Sequence, residues 1–371
     1  MQLPVSYLAH YAVPSWLGRH FLLAWHLVIL VVSWYPFSGW RYTGEPVFAF
    51  YGYPLPYYYT PLDNAVNLLA YLPLGYAWAL TWKCRWYAPL LSLTCGALLS
   101  GGIEFVQQFL PDRVASNLDI LYNGLGALLG ALAAGLFSKL LIVRRWHVLR
   151  QRWFRPGGLV DYGLVLVALW LLTQMNPAVP LFGIVVEPTG LPQPFVSPIH
   201  DARLFLRLLE ASGVMLSVSA VALFAVTLLA QRRHSPGLVV GLVLAALSIK
   251  VTTAGVMLKP TEFLAWFNLN VLAGGLAAVA ALTLLMRLQR RWQALLAMLC
   301  LLAAQVVEAL WPLQGSFYGM ADLFKWRYGH LRDFNGLSQT VSEVWPWLAM
   351  AYLGLSFAGE RQAERTTVIQ R

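Results

Sequence analysis

Several carboxylates and amides stand at the ends of apolar stretches in the first third of the chain, at spacings that would gather them. Residues 100–135 read SGGIEFVQQFLPDRVASNLDILYNGLGALLGALAAG. Glu104, Gln107 and Gln108 close one apolar segment, Arg113 lies in the short loop that follows, and Asp119 and Asn123 open the next. Upstream, Asp63 and Asn67 open another. Steps of three and four residues put side chains on one helix face. Two chemistries fit the set. Each Asn or Gln both donates and accepts hydrogen bonds, which suits sugar hydroxyls and polar headgroups. Glu104 and Asp119 could instead work as an acid and base pair at the bilayer surface. Asp63 and Asp119 lie near helix N-termini, where the dipole favours a carboxylate, so capping accounts for them. Glu104 lies at a helix C-terminal end and gains nothing from the dipole. An ionisable group set inside such a segment asks for a ligand or catalytic role.

The segments that position these groups are membrane-length. The chain has 371 residues, 59% hydrophobic and 11% charged, against about 25% charged in an average soluble domain. Apolar runs of about 20 residues recur throughout, which predicts an all-α, polytopic transmembrane helical bundle. The net charge of +10 reflects Lys and Arg in short loops, and nucleic acid is not implied. Cys84, Cys95 and Cys300 form neither a disulfide framework nor a zinc pattern. His200 and His330 lie in loops without metal-ligand spacing, so no metal or cofactor is expected. Arg19 and His20 precede an apolar run with no small-residue cleavage site, which reads as an uncleaved first span.

About ten spans follow, near 20–37, 64–82, 87–109, 119–142, 160–177, 209–230, 237–257, 262–286, 292–311 and 343–358. Basic residues follow every even-numbered span before the last. They are Lys83 and Arg85; Lys139, Arg144, Arg145, Arg150, Arg152 and Arg155; Arg232 and Arg233; and Arg287, Arg290 and Arg291. This pattern predicts N-in, C-in topology. All the long loops, 38–63, 178–208 and 312–342, then fall outside. They are rich in Tyr, Phe, Trp and Pro, either as interfacial belts or as stacking platforms for a sugar or peptide headgroup.

Under this topology the polar groups of spans two, three and four share the outer level, reaching about 6–10 Å inward. Below them lie small residues: Ala97, Ser100 and Gly101 on span three, and Gly126, Gly130 and Ala134 on span four. Small faces let helices approach closely. Pro73 in span two frees the carbonyl of Leu69 just below Asn67. A close contact below and a polar cluster above describe a pocket open to the outside.

The words DNAVNLLAYLPLG, EFVQQFLPDR and NLDILYNGLGALLG resemble, in order and spacing, the VanZ-like family of integral membrane proteins. The marks fall on Asp63, Asn67, Pro73, Gly75, Glu104, Gln107, Arg113, Asp119, Asn123 and Gly126. The resemblance covers about residues 20–140. It implies a bacterial envelope protein of the cytoplasmic membrane, with a site facing the cell surface. It also implies a link to reduced teicoplanin sensitivity. It carries no settled enzymatic activity.

Two regions are therefore expected: a VanZ-like four-helix membrane domain at 20–142, and a second helical membrane region of about six spans at 143–371. In the second, Glu262, Asn268, Asn270, Glu308, Asp333 and Asn335 echo the order of the first set, as in a degenerate parallel repeat. Lys250 lies inside span seven, where an unpaired ammonium costs about 2.5–3.5 kcal/mol, and Glu308 is the expected ion-pair partner. Three functions compete. The polar pocket of Asp63, Asn67, Glu104, Gln107, Gln108, Arg113, Asp119 and Asn123 could bind membrane lipids, a lipid-linked envelope precursor or a glycan. Glu104 and Asp119 could catalyse a reaction on such a substrate. Lys250, Glu104 and Glu308 could line a transport path for a small molecule. No activated nucleophile is visible, and the acids gather on one side of the membrane, so binding is the preferred reading.

Overall fold

The computed structural model describes residues 17–35, 37–42, 44, 46–52, 61–111, 113–137, 148–176, 198–264, 266–310 and 330–369, with the side chains of 61–63, 308, 330–336, 339 and 361–369 left aside. The structure is all-helical among the described residues. The helices are α1 (Leu17–Trp34), α2 (Pro61–Thr81), α3 (Ala88–Gln107), α4 (Asn117–Phe137), α5 (Gly158–Thr173), α6 (Ala202–Leu228), α7 (Ser235–Met257), α8 (Leu269–Leu285), α9 (Arg290–Leu310) and α10 (His330–Ile369). Each overlaps a stretch read as a span, and α10 runs well beyond its own at both ends. Six segments are long and apolar enough to cross a membrane: α1, α3, α4, α6, the Arg232–Met257 stretch that contains α7, and Arg290–Val307 within α9. The apolar helices α5 and α8 are shorter.

Local chemistry sets several helix starts. Pro89 stands in the first turn of α3, where its missing N–H is no loss. Asp201 caps α6, its carboxylate accepting the N–H groups of Arg203 and Leu204 at 2.9 and 3.1 Å. The Ser116 hydroxyl accepts the Leu118 N–H at 3.2 Å, at the start of α4.

The described chain forms two compact units, one holding residues up to Arg152 with Pro156–Asp161, the other holding Trp153–Arg155 and everything from Tyr162 onward. In the first, α2 packs against α4 with backbone on backbone. A Cβ on Gly75 would lie 1.9 Å from the Ala127 carbonyl oxygen, one on Gly126 2.2 Å from that of Leu68, and one on Gly130 2.0 Å from that of Leu72. Only glycine permits this approach. The partner of the small-residue face of α4 is thus chiefly α2, while Gly96 brings α3 against Ala127. On the other side of α2, the Trp25 indole of α1 donates to the Ala70 carbonyl at 2.8 Å. That is one residue from Leu69, whose carbonyl Pro73 leaves without its helical donor. Ile29, Tyr71, Leu74, Trp78, Ile103 and Ala127 form the core between these helices.

In the second unit α6 is central, with 72% of its apolar window buried. Helix α8 approaches it closely, since a Cβ on Gly274 would lie 2.3 Å from the Ala211 carbonyl oxygen. Helix α10 reaches α5 through the Trp345 indole, which donates to the Leu166 carbonyl at 2.7 Å. Lys250 of α7 is fully buried, and its ammonium donates to the Asn176 carbonyl at 2.6 Å. The side chain of Glu308, its expected partner, lies outside the described residues, as do those of Asp63, Asp333 and Asn335.

Candidate functional site

Glu104, in the last turn of α3, is 2% exposed. One carboxylate oxygen accepts the Ser116 backbone N–H at 2.9 Å. The same residue thus binds Glu104 through its backbone and caps α4 through its hydroxyl, fixing the α3–α4 loop against both helices. Two further charges act on Glu104: the Asp119 carboxylate, which repels it, and the Arg113 guanidinium, which attracts it. One turn below, Asn123 donates its amide to the Ser100 hydroxyl at 2.8 Å, and both side chains are buried.

Arg113 and Gln107 also do something the sequence does not announce. The Arg113 guanidinium donates to the Val32 carbonyl at 2.7 Å, and the Gln107 amide to that of Ser33 at 2.9 Å. The last carbonyls of a helix lack intrahelical donors, so these two side chains close the C-terminal end of α1 and lock it beside the cluster. Gln108 turns back on its own helix, donating to the Phe105 carbonyl at 2.6 Å. Asn67 is half-buried on α2. The structure therefore groups Glu104, Arg113 and Asp119, sets Asn123 with Ser100 below them, and directs the Gln108 amide elsewhere.

Two members of this cluster were not singled out by type. Tyr71 is 3% exposed, with its hydroxyl toward Ser100 and within electrostatic reach of Glu104 and Asp119. Ser100 is fully buried. The signal was present as spacing: Tyr71 follows Asp63 and Asn67 at steps of four, and Ser100 precedes Glu104 by four. The first loop supplies a rim. The Arg41 N–H donates to the Phe109 carbonyl at 2.9 Å, and the Tyr51 hydroxyl to that of Gly101 at 3.3 Å. Phe48 stacks on Phe105 at 5.4 Å between ring centroids, and Phe105 meets Phe109 edge-on at 5.7 Å.

The second unit holds a carboxylate that sequence reading passed over. Glu210 of α6 is buried, and its two oxygens accept the side-chain amides of Asn268 and Asn270, each at 2.6 Å. Asn268 also caps α8 by accepting the Asn270 and Val271 N–H groups, both at 2.9 Å.

Residues 19–138 match the VanZ/LLP1 family model. The match spans α1 to α4, so over this stretch the chain is VanZ-like, and the cluster described above lies within it. Comparisons with curated proteins and with solved structures give no match.

Proposed function

We propose that this VanZ-like membrane protein holds a lipid headgroup or glycan intermediate of the bacterial envelope at the Glu104 end of α2, α3 and α4. Through that binding it contributes to envelope homeostasis or to lowered sensitivity to teicoplanin-type glycopeptides. The observation that carries this is Glu104 itself: a buried carboxylate near a helix C-terminus, held by one backbone N–H, with a second carboxylate and an arginine acting on it. A purely structural role would not call for a second acid beside it. Mass spectrometry of lipids copurifying with the protein tests the proposal. Wild type is expected to retain an envelope lipid that Glu104→Gln loses. An unchanged lipid profile in a folded Glu104→Gln protein would overturn it.

The protein sits in the cytoplasmic membrane with both termini inside and the cluster outside. This is supported by Lys83 and Arg85 after α2, Arg232 and Arg233 before α7, Arg287 between α8 and α9, and Arg290 and Arg291 at the start of α9. Single cysteines on a background lacking the three native ones report on it. Cysteines at Trp40 and Val114, both exposed, are expected to react with an impermeant thiol reagent in spheroplasts, and cysteines at Trp86 and Arg232 are expected to stay unlabelled. The reverse pattern places the cluster inside.

The neighbouring Glu104 and Asp119 also favour a second reading, an acid and base acting on a lipid-linked substrate. Turnover of a copurifying lipid by wild type but not by Asp119→Asn would distinguish it.

A further inference from the structure

Two acids and one guanidinium meet at the Glu104 end of the first unit: Asp119 and Arg113 both act on Glu104. Arg113 divides its donors, one going to the Val32 carbonyl. A ligand bound here meets the neighbouring acids Glu104 and Asp119.

A separate observation concerns hydrogen bonding. Asn123 is 7% exposed and uses its amide N–H on Ser100, but its carbonyl oxygen, Oδ1, is buried with no hydrogen-bond partner. The Tyr71 hydroxyl, 3% exposed, faces Ser100 yet makes no hydrogen bond of good geometry. Buried acceptors left in this state ask for a donor. Asn123 lies one helical turn from Asp119, and Ser100 one turn from Glu104, and the Tyr71 hydroxyl is within electrostatic reach of both carboxylates.

Resting on the pocket reading above, we infer that the bound group is a protonated primary amine. An ammonium has three N–H donors, no acceptor and a positive charge. One donor meets the Glu104 and Asp119 carboxylates, one the Asn123 Oδ1 and one the Tyr71 oxygen. A phosphate alone would face like charge. A neutral sugar would satisfy Asn123 but bring no charge to the two acids. The amine can come from an aminophospholipid headgroup or from a small soluble amine.

Native mass spectrometry of the full chain in detergent tests this. The protein is offered equimolar phosphatidylethanolamine, phosphatidylcholine, phosphatidylglycerol and a neutral diglycosyl lipid. Phosphatidylethanolamine is expected to be retained about tenfold over the others, the worth of one charge-assisted hydrogen bond. Glu104→Gln and the conservative Tyr71→Phe are expected to bring retention towards parity, with thermal unfolding showing both folded. Should Glu104→Gln not fold, Tyr71→Phe gives the readout. Displacement of the lipid by free ethanolamine assigns a soluble amine as the source, and resistance to displacement assigns the lipid headgroup. Equal retention of phosphatidylcholine, which has the charge without N–H donors, overturns the inference. Glu104-dependent retention of the glycosyl lipid or phosphatidylglycerol overturns the amine but leaves the envelope-lipid proposal standing. Retention indifferent to Glu104 and Tyr71 overturns both.

Discussion

Gly75→Ala is expected to be among the most damaging changes in the first unit, although it adds one methyl group. The new Cβ would sit 1.9 Å from the Ala127 carbonyl oxygen and 2.6 Å from its Cα. The obstacle is backbone, so no side-chain rotation relieves it, and α2 must withdraw from α4. Overpacking of this kind costs about 1–3 kcal/mol and sometimes more. Gly126→Ala and Gly130→Ala meet the Leu68 and Leu72 carbonyls in the same way. Gly102 and Gly135 have nothing within 4 Å of a built Cβ, so alanine there is expected to be neutral or to stabilise by up to about 1 kcal/mol. Thermal unfolding in detergent reads the contrast. If Gly75→Ala behaves like Gly102→Ala, the close approach of α2 and α4 is wrong. Tyr71 stands one turn before Gly75, so the same variant should also weaken lipid retention.

Lys250→Ala is the corresponding change in the second unit. The ammonium is fully buried and donates to the Asn176 carbonyl at 2.6 Å, and the Asn176 side chain donates to the Ser338 hydroxyl at 3.0 Å. One lysine therefore ties α7 to the end of α5 and, through Asn176, to α10. Its removal leaves a cavity and takes a charged donor from the Asn176 carbonyl. With Glu308 as the counter-charge, as expected from the sequence, a carboxylate is stranded as well. Stranding one partner of such a pair costs about 3–5 kcal/mol. A double-mutant cycle separates these contributions. Lys250→Ala with Glu308→Gln is expected to be more stable than Lys250→Ala alone, with coupling of about 0.5–3 kcal/mol. Strict additivity removes Glu308 as the partner and leaves the Asn176 hydrogen bond as the explanation of the single loss.

What could be read from the sequence divides along physical lines. Helix positions were legible because a chain that must bury about 20 apolar residues per crossing spells them out consecutively. Helix ends were less so. Helix α10 begins at His330 and runs to Ile369, well past the apolar core at 343–358, because hydropathy marks what touches lipid and not where hydrogen bonding stops. Glu104, Asp119 and Asn123 were legible as candidates because steps of three and four need only local geometry. The jobs of Gln107 and Arg113 were not, since the carbonyls they meet are 74 and 81 residues away. Nor was the partner of Gly126 and Gly130: small residues announce a close contact without naming the helix that makes it. Glu210 was missed for a similar reason. Alone on α6 it looks like any polar residue, and only the fold brings it Asn268 and Asn270.

That last contact carries a consequence for biogenesis. Glu210 is made 58 residues before Asn268 and 60 before Asn270. At roughly 5–20 residues per second of synthesis, its carboxylate waits about 3–12 s for its two amides. During that interval α6 has entered the membrane, or stalled at its edge, with an uncovered acid. The ribosome-bound chain thus passes through a stage in which the second unit's central helix carries an acid whose two amide partners are not yet made.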